Sequence, residues 1–268
     1  MTKRILLALA VASSVANAEP ISIKGSDTIF TLVQRWADAY RKKNPDAVIA
    51  VSGGGSGLGI AALIAGSIDV ASASRVIKES EQDKMRSRFN APAIEIPVAK
   101  DAVAVYVNKA NPLTSITEAD LKQIYTGKIS NWKQVGGPDA PISAFVREGG
   151  SGTYEWFRNK VLGGREYENT RAAAGAFGMV NAVFKDPNAI GYGAAPLARG
   201  IKLLKIKDGT EEIECNAETM ANGKYPLGRQ VYFYSRKKPA GDLLGLLDFI
   251  LSPEGQQIAV GAGFHPLK

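Results

Sequence analysis

Apolar residues recur along this chain at two periods. Ile21 to Lys24 alternates apolar and polar positions, the pattern of a half-buried strand. Beyond Thr28, the residues Ile29, Leu32, Val33, Trp36, Ala37 and Tyr40 fall at spacings of three and four, which puts them on one helical stripe. Val48 to Val51 predicts a second strand, Gly53 to Gly57 a turn, and Ile60, Leu63 and Ile64 a helix that ends at Gly66; Ile68 to Ala71 predicts a third strand. This alternation implies parallel pairing through right-handed crossovers, and so an α/β sheet whose ligand loops lie at the carboxyl ends of its strands. The plan repeats further on, with a strand at Ile142 to Val146, a helix marked by Tyr154, Phe157 and Val161, and a short strand at Ala189 to Tyr192. Ala102 to Val107 and Val231 to Tyr234, far apart in sequence, are the expected crossings between two such lobes. Leu243 to Leu251 is an apolar helix, and Ser252-Pro253-Glu254 opens the next one with a capping serine and a proline at the first helical position.

The N-terminus reads differently. Lys3 and Arg4 precede an apolar stretch from Ile5 to Val15 and then Ala16-Asn17-Ala18, the layout of a secretory signal peptide over residues 1–18. The stretch is shorter than the roughly 20 residues a membrane-spanning helix needs, and no cysteine follows it to carry a lipid. The expectation is a soluble protein exported to the periplasm. The formal charge of +7 includes both signal-peptide cations, and the remaining excess is spread over runs such as Arg41-Lys42-Lys43 and Arg236-Lys237-Lys238, which argues against nucleic-acid binding. Cys215 is the only cysteine and His265 the only histidine. An internal disulfide is therefore excluded, a zinc site or a Cys/His catalytic pair is disfavoured, and His265 is expected to be a packed or capping residue.

The chemistry concentrates in three glycine/serine turns, Gly25-Ser26-Asp27-Thr28, Gly53-Gly54-Gly55-Ser56-Gly57 and Arg147-Glu148-Gly149-Gly150-Ser151-Gly152-Thr153, each between a strand-like run and a helical pattern. Such turns aim backbone N–H groups at one point, the helix start adds partial positive charge, and hydroxyls add donors without charge. A buried tetrahedral oxyanion presents many acceptor sites, which neutral donors satisfy with less self-repulsion than clustered lysines. The candidate donors are the Thr28 hydroxyl, the Ile29 N–H, Ser56, Ser151, Gly152 and Thr153. Arg147 supplies a bidentate charge, with Glu148 placed to hold the guanidinium. The bland alternative is that Ser26, Ser56 and Ser151 only cap helices.

Two other functions fit less well. A serine hydrolase or phosphatase built on Ser56 or Ser151 would want Gly-x-Ser-x-Gly and a base, whereas both turns fail at the last glycine and His265 is the sole histidine. Gly57-Leu58-Gly59-Ile60-Ala61-Ala62 fits a dinucleotide fingerprint only inside a helix, and Asp69 follows too early for a ribose contact.

The order and spacing of several segments are more specific. Gly25-Ser26-Asp27-Thr28 precedes a helix containing Trp36-Ala37, and Gly55-Ser56-Gly57, Ala73-Ser74-Arg75 and Ile124-Tyr125-Thr126-Gly127-Lys128-Ile129-Ser130-Asn131-Trp132 follow. Then come Arg147 with Gly150-Ser151-Gly152-Thr153, Ile190-Gly191-Tyr192 and Leu251-Ser252-Pro253-Glu254-Gly255-Gln256. Through these segments the chain resembles the PstS family, the phosphate-binding proteins of bacterial ABC transporters, over essentially its whole mature length. The resemblance implies a type II periplasmic-binding-protein fold, α/β, with a central sheet in each of two lobes and phosphate in the cleft between them. The lobes would comprise residues 19–99 with 232–268, and 100–231. It also implies a non-enzymatic, cofactor-free and metal-free monomer that presents its closed form to an inner-membrane permease. Carried over by position, the phosphate ligands would be Thr28, Ile29, Ser56, Ser74, Arg147, Ser151, Gly152 and Thr153, supported by Ser26, Asp27, Glu148 and Gly150. Two departures bear on selectivity. Some members have an aspartate where this chain has Ser74, and another two residues after the arginine, where this chain has Gly149. Sulfate, molybdate or tungstate are the alternative guests, and Asp27 is a candidate substitute proton acceptor.

Overall fold

The computed structural model describes residues 20–267; the signal peptide expected at 1–18 lies outside the described residues. The chain begins β1 (Ile21–Gly25), α1 (Phe30–Lys43), β2 (Ile49–Ser52), α2 (Ser56–Ala65), β3 (Val70–Ala73), α3 (Glu79–Phe89), β4 (Ile94–Val107), β5 (Ser115–Thr117) and α4 (Glu118–Tyr125). It continues β6 (Ser143–Arg147), α5 (Gly152–Lys160), β7 (Thr170–Ala173), α6 (Gly175–Lys185), β8 (Ala189–Ala194), β9 (Lys202–Asp208), β10 (Glu211–Ile213), α7 (Ala217–Ala221), β11 (Gly228–Ser235), α8 (Gly241–Leu251) and α9 (Pro253–Gly261).

The strands run in the order β2-β1-β3-β11-β4-β8-β6-β7, with β9 carrying β5 and β10 alongside. As the periodicity predicts, β1 pairs in parallel with both β2 and β3, and β6 with β8; β6 also pairs in parallel with β7, a strand the periodicity does not show. Between these parallel groups lie two antiparallel strands. β4 pairs with β11 from Ile94 to Ala102, then with β8 from Val103 to Val107 and with β9 from Val105 to Val107, so one strand serves both halves of the sheet. The sequence shows only the Ala102–Val107 part of β4, because Pro97, Lys100 and Asp101 interrupt the apolar run. Pro97 is tolerated at a bulge, where Val231 pairs with Ala99 and the next residue, Tyr232, with Pro97. The third strand starts at Val70, two residues later than the apolar run predicts. Asp69 is held outside it by the N–H and hydroxyl of Ser22, at 2.9 and 2.6 Å.

Each half has its own core. Ile23, Leu32, Trp36, Val70, Phe233 and Leu246 pack in the first, and Val105, Leu121, Tyr125, Trp132, Phe157 and Tyr192 in the second. The stripe foreseen on α1 is buried as expected, and the Trp36 indole N–H donates to the Gly255 carbonyl at 2.7 Å, tying α1 to α9. Ser252 caps α9 through the Gly255 N–H. The chain end returns to β4, where Lys100 and His265 exchange backbone hydrogen bonds of 2.8 and 2.9 Å. Burial lowers the His265 pKa, with Asp101 opposing. Burial also pushes the Cys215 thiol up to about 12, leaving it a poor nucleophile at neutral pH.

Helix α2 must lie close against β1 to bring its N-terminus to the strand ends. A Cβ on Gly59 would meet the Lys24 carbonyl oxygen at 2.4 Å and the Gly25 Cα at 2.6 Å. Both are backbone atoms, so they yield only by moving the helix. Gly59→Ala is expected to cost about 1–3 kcal/mol by overpacking, read as a lower urea midpoint with an unchanged slope.

Candidate functional site

The three turns are built by different means. β1 ends at Gly25, whose φ of 147° and close approach to the Ser72 carbonyl, 2.1 Å from a Cβ placed there, admit only glycine. Its carbonyl accepts the Gly55 N–H at 2.9 Å, so the second turn hangs on the first. Gly54 and Gly55, at φ 113° and 97°, reverse the chain from β2 into α2 with Ser56 as its first residue. In the third turn Ser151 caps α5, accepting the Tyr154 N–H at 3.3 Å. Three helices, α1, α2 and α5, thus begin at these turns, and each brings orphan N–H groups and the positive end of its dipole.

The turns meet. The Thr28 and Thr153 hydroxyls lie 2.9 Å apart although 125 residues separate them, and the Gly57 N–H donates to the Gly150 carbonyl at 3.0 Å. The Ser74 N–H donates to Ser56 Oγ at 3.0 Å, and the two serine hydroxyls lie 3.4 Å apart. Gly152 sits against both, since a Cβ there would meet Ser56 Oγ at 2.3 Å and Ser74 Oγ at 2.8 Å. Thr28, Ser56, Ser74, Arg147, Ser151 and Thr153 are all at least 97% buried. Ile29, immediately before α1, is wholly buried. Ser26 is different. It is buried and its N–H is bound by the Ser72 carbonyl, but no side-chain hydrogen bond among the described residues joins it to this cluster.

Arg147 ends β6 with its guanidinium held on two sides. Nε donates to Glu148 Oε2 at 3.0 Å, while Nη2 donates to Glu148 Oε1 at 2.6 Å and to Asp27 Oδ2 at 3.1 Å. Glu148 also accepts the Gly175 N–H at 3.2 Å. Burial alone would raise the Glu148 carboxyl, but these hydrogen bonds and the guanidinium outweigh it and hold it below the usual range. Asp27 is engaged at both oxygens, the second one accepting the Gly54 N–H at 2.7 Å.

Two charged groups went unforeseen. Arg229 on β11 and Asp101 on β4 are cross-strand partners, both buried, joined by hydrogen bonds of 2.9 and 2.7 Å. The available signal was a charge beside each expected crossing strand, since a charge in a buried strand persists only when paired. The second group is a clasp at the rim. Arg75, next to Ser74, pairs with Glu81 through Nη2 at 2.7 Å, and its Nε lies 3.0 Å from Glu155 Oε2 on α5 without hydrogen-bond alignment. Lys78 reaches the other oxygen of Glu155 at 2.8 Å. Burial raises the Glu81 carboxyl, yet Arg75 and the Lys78 N–H bring it below its ordinary value. A carboxyl depressed in the folded state contributes stability above its unfolded pKa of about 4.3 and loses it as pH falls through the folded value. Unfolding free energy should therefore decline below about pH 4.3 less steeply in Glu81→Gln than in the parent. Equal slopes in urea titrations between pH 3 and 6 would refute the assignment.

Chemically, the cluster is rich in donors and lacks a catalytic pair. The Ser56 and Ser151 hydroxyl oxygens accept backbone N–H groups, and no histidine or carboxylate among the described residues is hydrogen-bonded to either. No group of three or more His, Cys, Asp or Glu among the described residues is placed to hold a metal ion. No helix among them is long and apolar enough to cross a membrane.

Known proteins share this architecture. Residues 10–254 match the family model described as a PBP superfamily domain, placing the α/β fold among two-lobed periplasmic binding proteins. The phosphate-binding protein PstS of Pseudomonas aeruginosa is 30% identical over 267 residues, covering 92% of this chain and 83% of that protein. PstS of Staphylococcus epidermidis is 31% identical over 252 residues, covering 90% and 77%. Among solved structures, a phosphate ABC transporter substrate-binding protein from Clostridium perfringens with bound phosphate superposes with a TM-score of 0.85 at 31% identity, covering 93% of this chain and all of that one. An ABC-type phosphate transport receptor from Vibrio cholerae gives 0.74 at 27% identity, covering 91% and 99%. The chain belongs to the PstS family, whose members are binding proteins of transporters and not enzymes.

Proposed function

We propose that this protein captures inorganic phosphate between its two lobes and delivers it unchanged to an ABC permease in the inner membrane. The observation that carries the reading is the meeting of buried Thr28 with Thr153 and of buried Ser56 and Ser74 with Gly152, with Ser151 capping the same helix start and Arg147 tied to the first turn through Asp27. There the amides starting α1, α2 and α5, with the hydroxyls and one guanidinium, would satisfy a desolvated oxyanion without chemistry. The Ile29 N–H completes the donor set; Asp27, Glu148 and Gly150 hold it in place, and Ser26 supports the first turn. We assign residues 19–99 and 232–268 to one lobe and 100–231 to the other, so that closure brings Thr28, Ser56 and Ser74 against Ser151, Gly152 and Thr153. Contacts such as Gly57 to Gly150 and Glu155 to Lys78 support reading the arrangement as the closed form. A soluble periplasmic monomer, released after cleavage behind Ala18, fits this role.

Calorimetry with phosphate, sulfate, molybdate and tungstate at two pH values tests the reading. Phosphate is expected to bind with the highest affinity, with Thr28→Ala and Ser151→Ala each costing about 1–3 kcal/mol. A protein that gives heat with sulfate, molybdate or tungstate and none with phosphate would retain the fold and refute the substrate. That outcome has a physical route, because Ser74 offers a neutral acceptor for the phosphate proton where an aspartate would offer a charged one.

A further inference from the structure

Arg229 is a second buried guanidinium, and nothing in the donor set described so far uses it. Four of its five N–H groups are accounted for: Nε and one Nη2 donor on Asp101 Oδ2, Nη1 on the Ser74 carbonyl at 2.9 Å, and the other Nη2 donor on Thr153 Oγ1 at 2.9 Å. The Trp156 ring lies 5.3 Å away and helps fix its plane. Asp101 Oδ1 is buried with no hydrogen-bond partner. An ion pair buried at such cost contributes little to stability compared with apolar residues of the same volume, so its value has to be sought in what it positions.

Its location gives the answer. The pair is formed between β4 and β11, the antiparallel strands at the junction of the two halves, and its remaining donors reach one residue of each half, Ser74 after β3 and Thr153 on α5. We propose that Arg229, held by Asp101, is a positioning cation of the anion site that orients the Thr153 hydroxyl toward the guest and links lobe closure to binding. The inference rests on the phosphate reading above. When Nη2 donates to Thr153 Oγ1, it takes up acceptor capacity and leaves the Thr153 O–H to point elsewhere, into the site or along the 2.9 Å contact to Thr28. Either direction sends a donor to the oxyanion, since a Thr28 hydroxyl that accepts from Thr153 has its own proton free to give. The Ser74 carbonyl and Thr153 hydroxyl share one guanidinium only while the halves are together; Arg229, Asp101 and Thr153 all belong to the 100–231 lobe, so opening breaks the bond to Ser74.

The test is a double-mutant cycle on the full mature chain, with inorganic phosphate as the probe. Asp101→Leu/Arg229→Met replaces the ion pair by apolar residues. It is compared with Thr153→Val and with the combination of all three changes, and each protein is melted without ligand to establish that it folds. The pair variant is expected to fold and to bind phosphate about 10- to 100-fold more weakly, the loss of a charge-assisted hydrogen bond. Adding Thr153→Val should then cost much less than it costs alone, and small-angle scattering should register less phosphate-induced compaction. Arg229→Lys, which keeps the charge but cannot bond Asp101, Ser74 and Thr153 together, is the second variant should the pair variant not fold, and it should weaken binding about tenfold or more. Binding within threefold of the parent in the folded variant, or a Thr153→Val effect that adds in full, overturns the inference and leaves the phosphate reading standing. A parent chain that binds sulfate and not phosphate overturns the substrate, and the same cycle is run with sulfate. A parent that binds no oxyanion overturns both.

Discussion

Gly152→Ala is expected to abolish tight phosphate capture in a chain that still folds. Gly152 opens α5 without a left-handed φ, so alanine costs nothing in backbone conformation and its methyl group is the whole perturbation. That methyl would fall 2.3 Å from Ser56 Oγ, 2.8 Å from Ser74 Oγ and 2.9 Å from Ser56 Cβ. Neither serine can move aside easily, because the Ser74 N–H is bonded to Ser56 Oγ and both are buried. The turn bearing Gly152 must therefore stop short of α2, and donors from the two halves no longer reach one guest. We expect at least a 100-fold loss of affinity, or about 2.7 kcal/mol, with a ligand-free melting temperature near that of the parent. Gly149→Ala is the control, since a Cβ there meets nothing within 4 Å. Equal calorimetric affinity in Gly152→Ala and the parent would contradict the closed geometry.

Arg147→Ala is expected to be as damaging for an electrostatic reason. The Arg147 side chain is 3% exposed and pairs with two carboxylates, Glu148 and Asp27. Removing it deletes the charged donor assigned to the guest and leaves two carboxylates without their cation, one of them adjacent in sequence to Thr28, so that they would repel an incoming anion. Truncating one side of a buried, hydrogen-bonded charge pair typically costs about 2–5 kcal/mol of binding, and this case should fall in the upper part of that range. Asp27→Asn combined with Glu148→Gln in the Arg147→Ala background should recover part of the loss by removing the repulsion. Arg147→Lys should recover little, because a single ammonium cannot reproduce the fork that grips Glu148 through Nε and Nη2 together. Phosphate titrations of the four proteins decide it, and an Arg147→Ala affinity within threefold of the parent would remove the arginine from the site.

The parts of the molecule legible in the sequence are those governed by short-range rules. The stripe on α1, the serine and proline opening α9, and the parallel order of β1, β2 and β3 follow from periodicity and capping, which act over a few residues. So do the three turns, since Gly54 and Gly55 occupy conformations that side chains disfavour. Half of β4 was hidden because strand pairing with β11 overrides the interruption at Pro97, Lys100 and Asp101, and pairing energy comes from a partner some 130 residues away along the chain. Arg229 and Asp101 were passed over for the same reason. Each looks like a surface charge until its partner is known.

By itself, the sequence determined which chemistry was available: amides at glycine turns, hydroxyls at helix starts and an arginine at the end of a strand, all set by residue type and local conformation. Only the tertiary structure decided that Thr28 lies 2.9 Å from Thr153, that Gly152 lies between Ser56 and Ser74, and that a second guanidinium stands behind them. Those distances depend on how the two halves of a sheet are joined through β4 and β11, a long-range packing result that no local window of the chain contains.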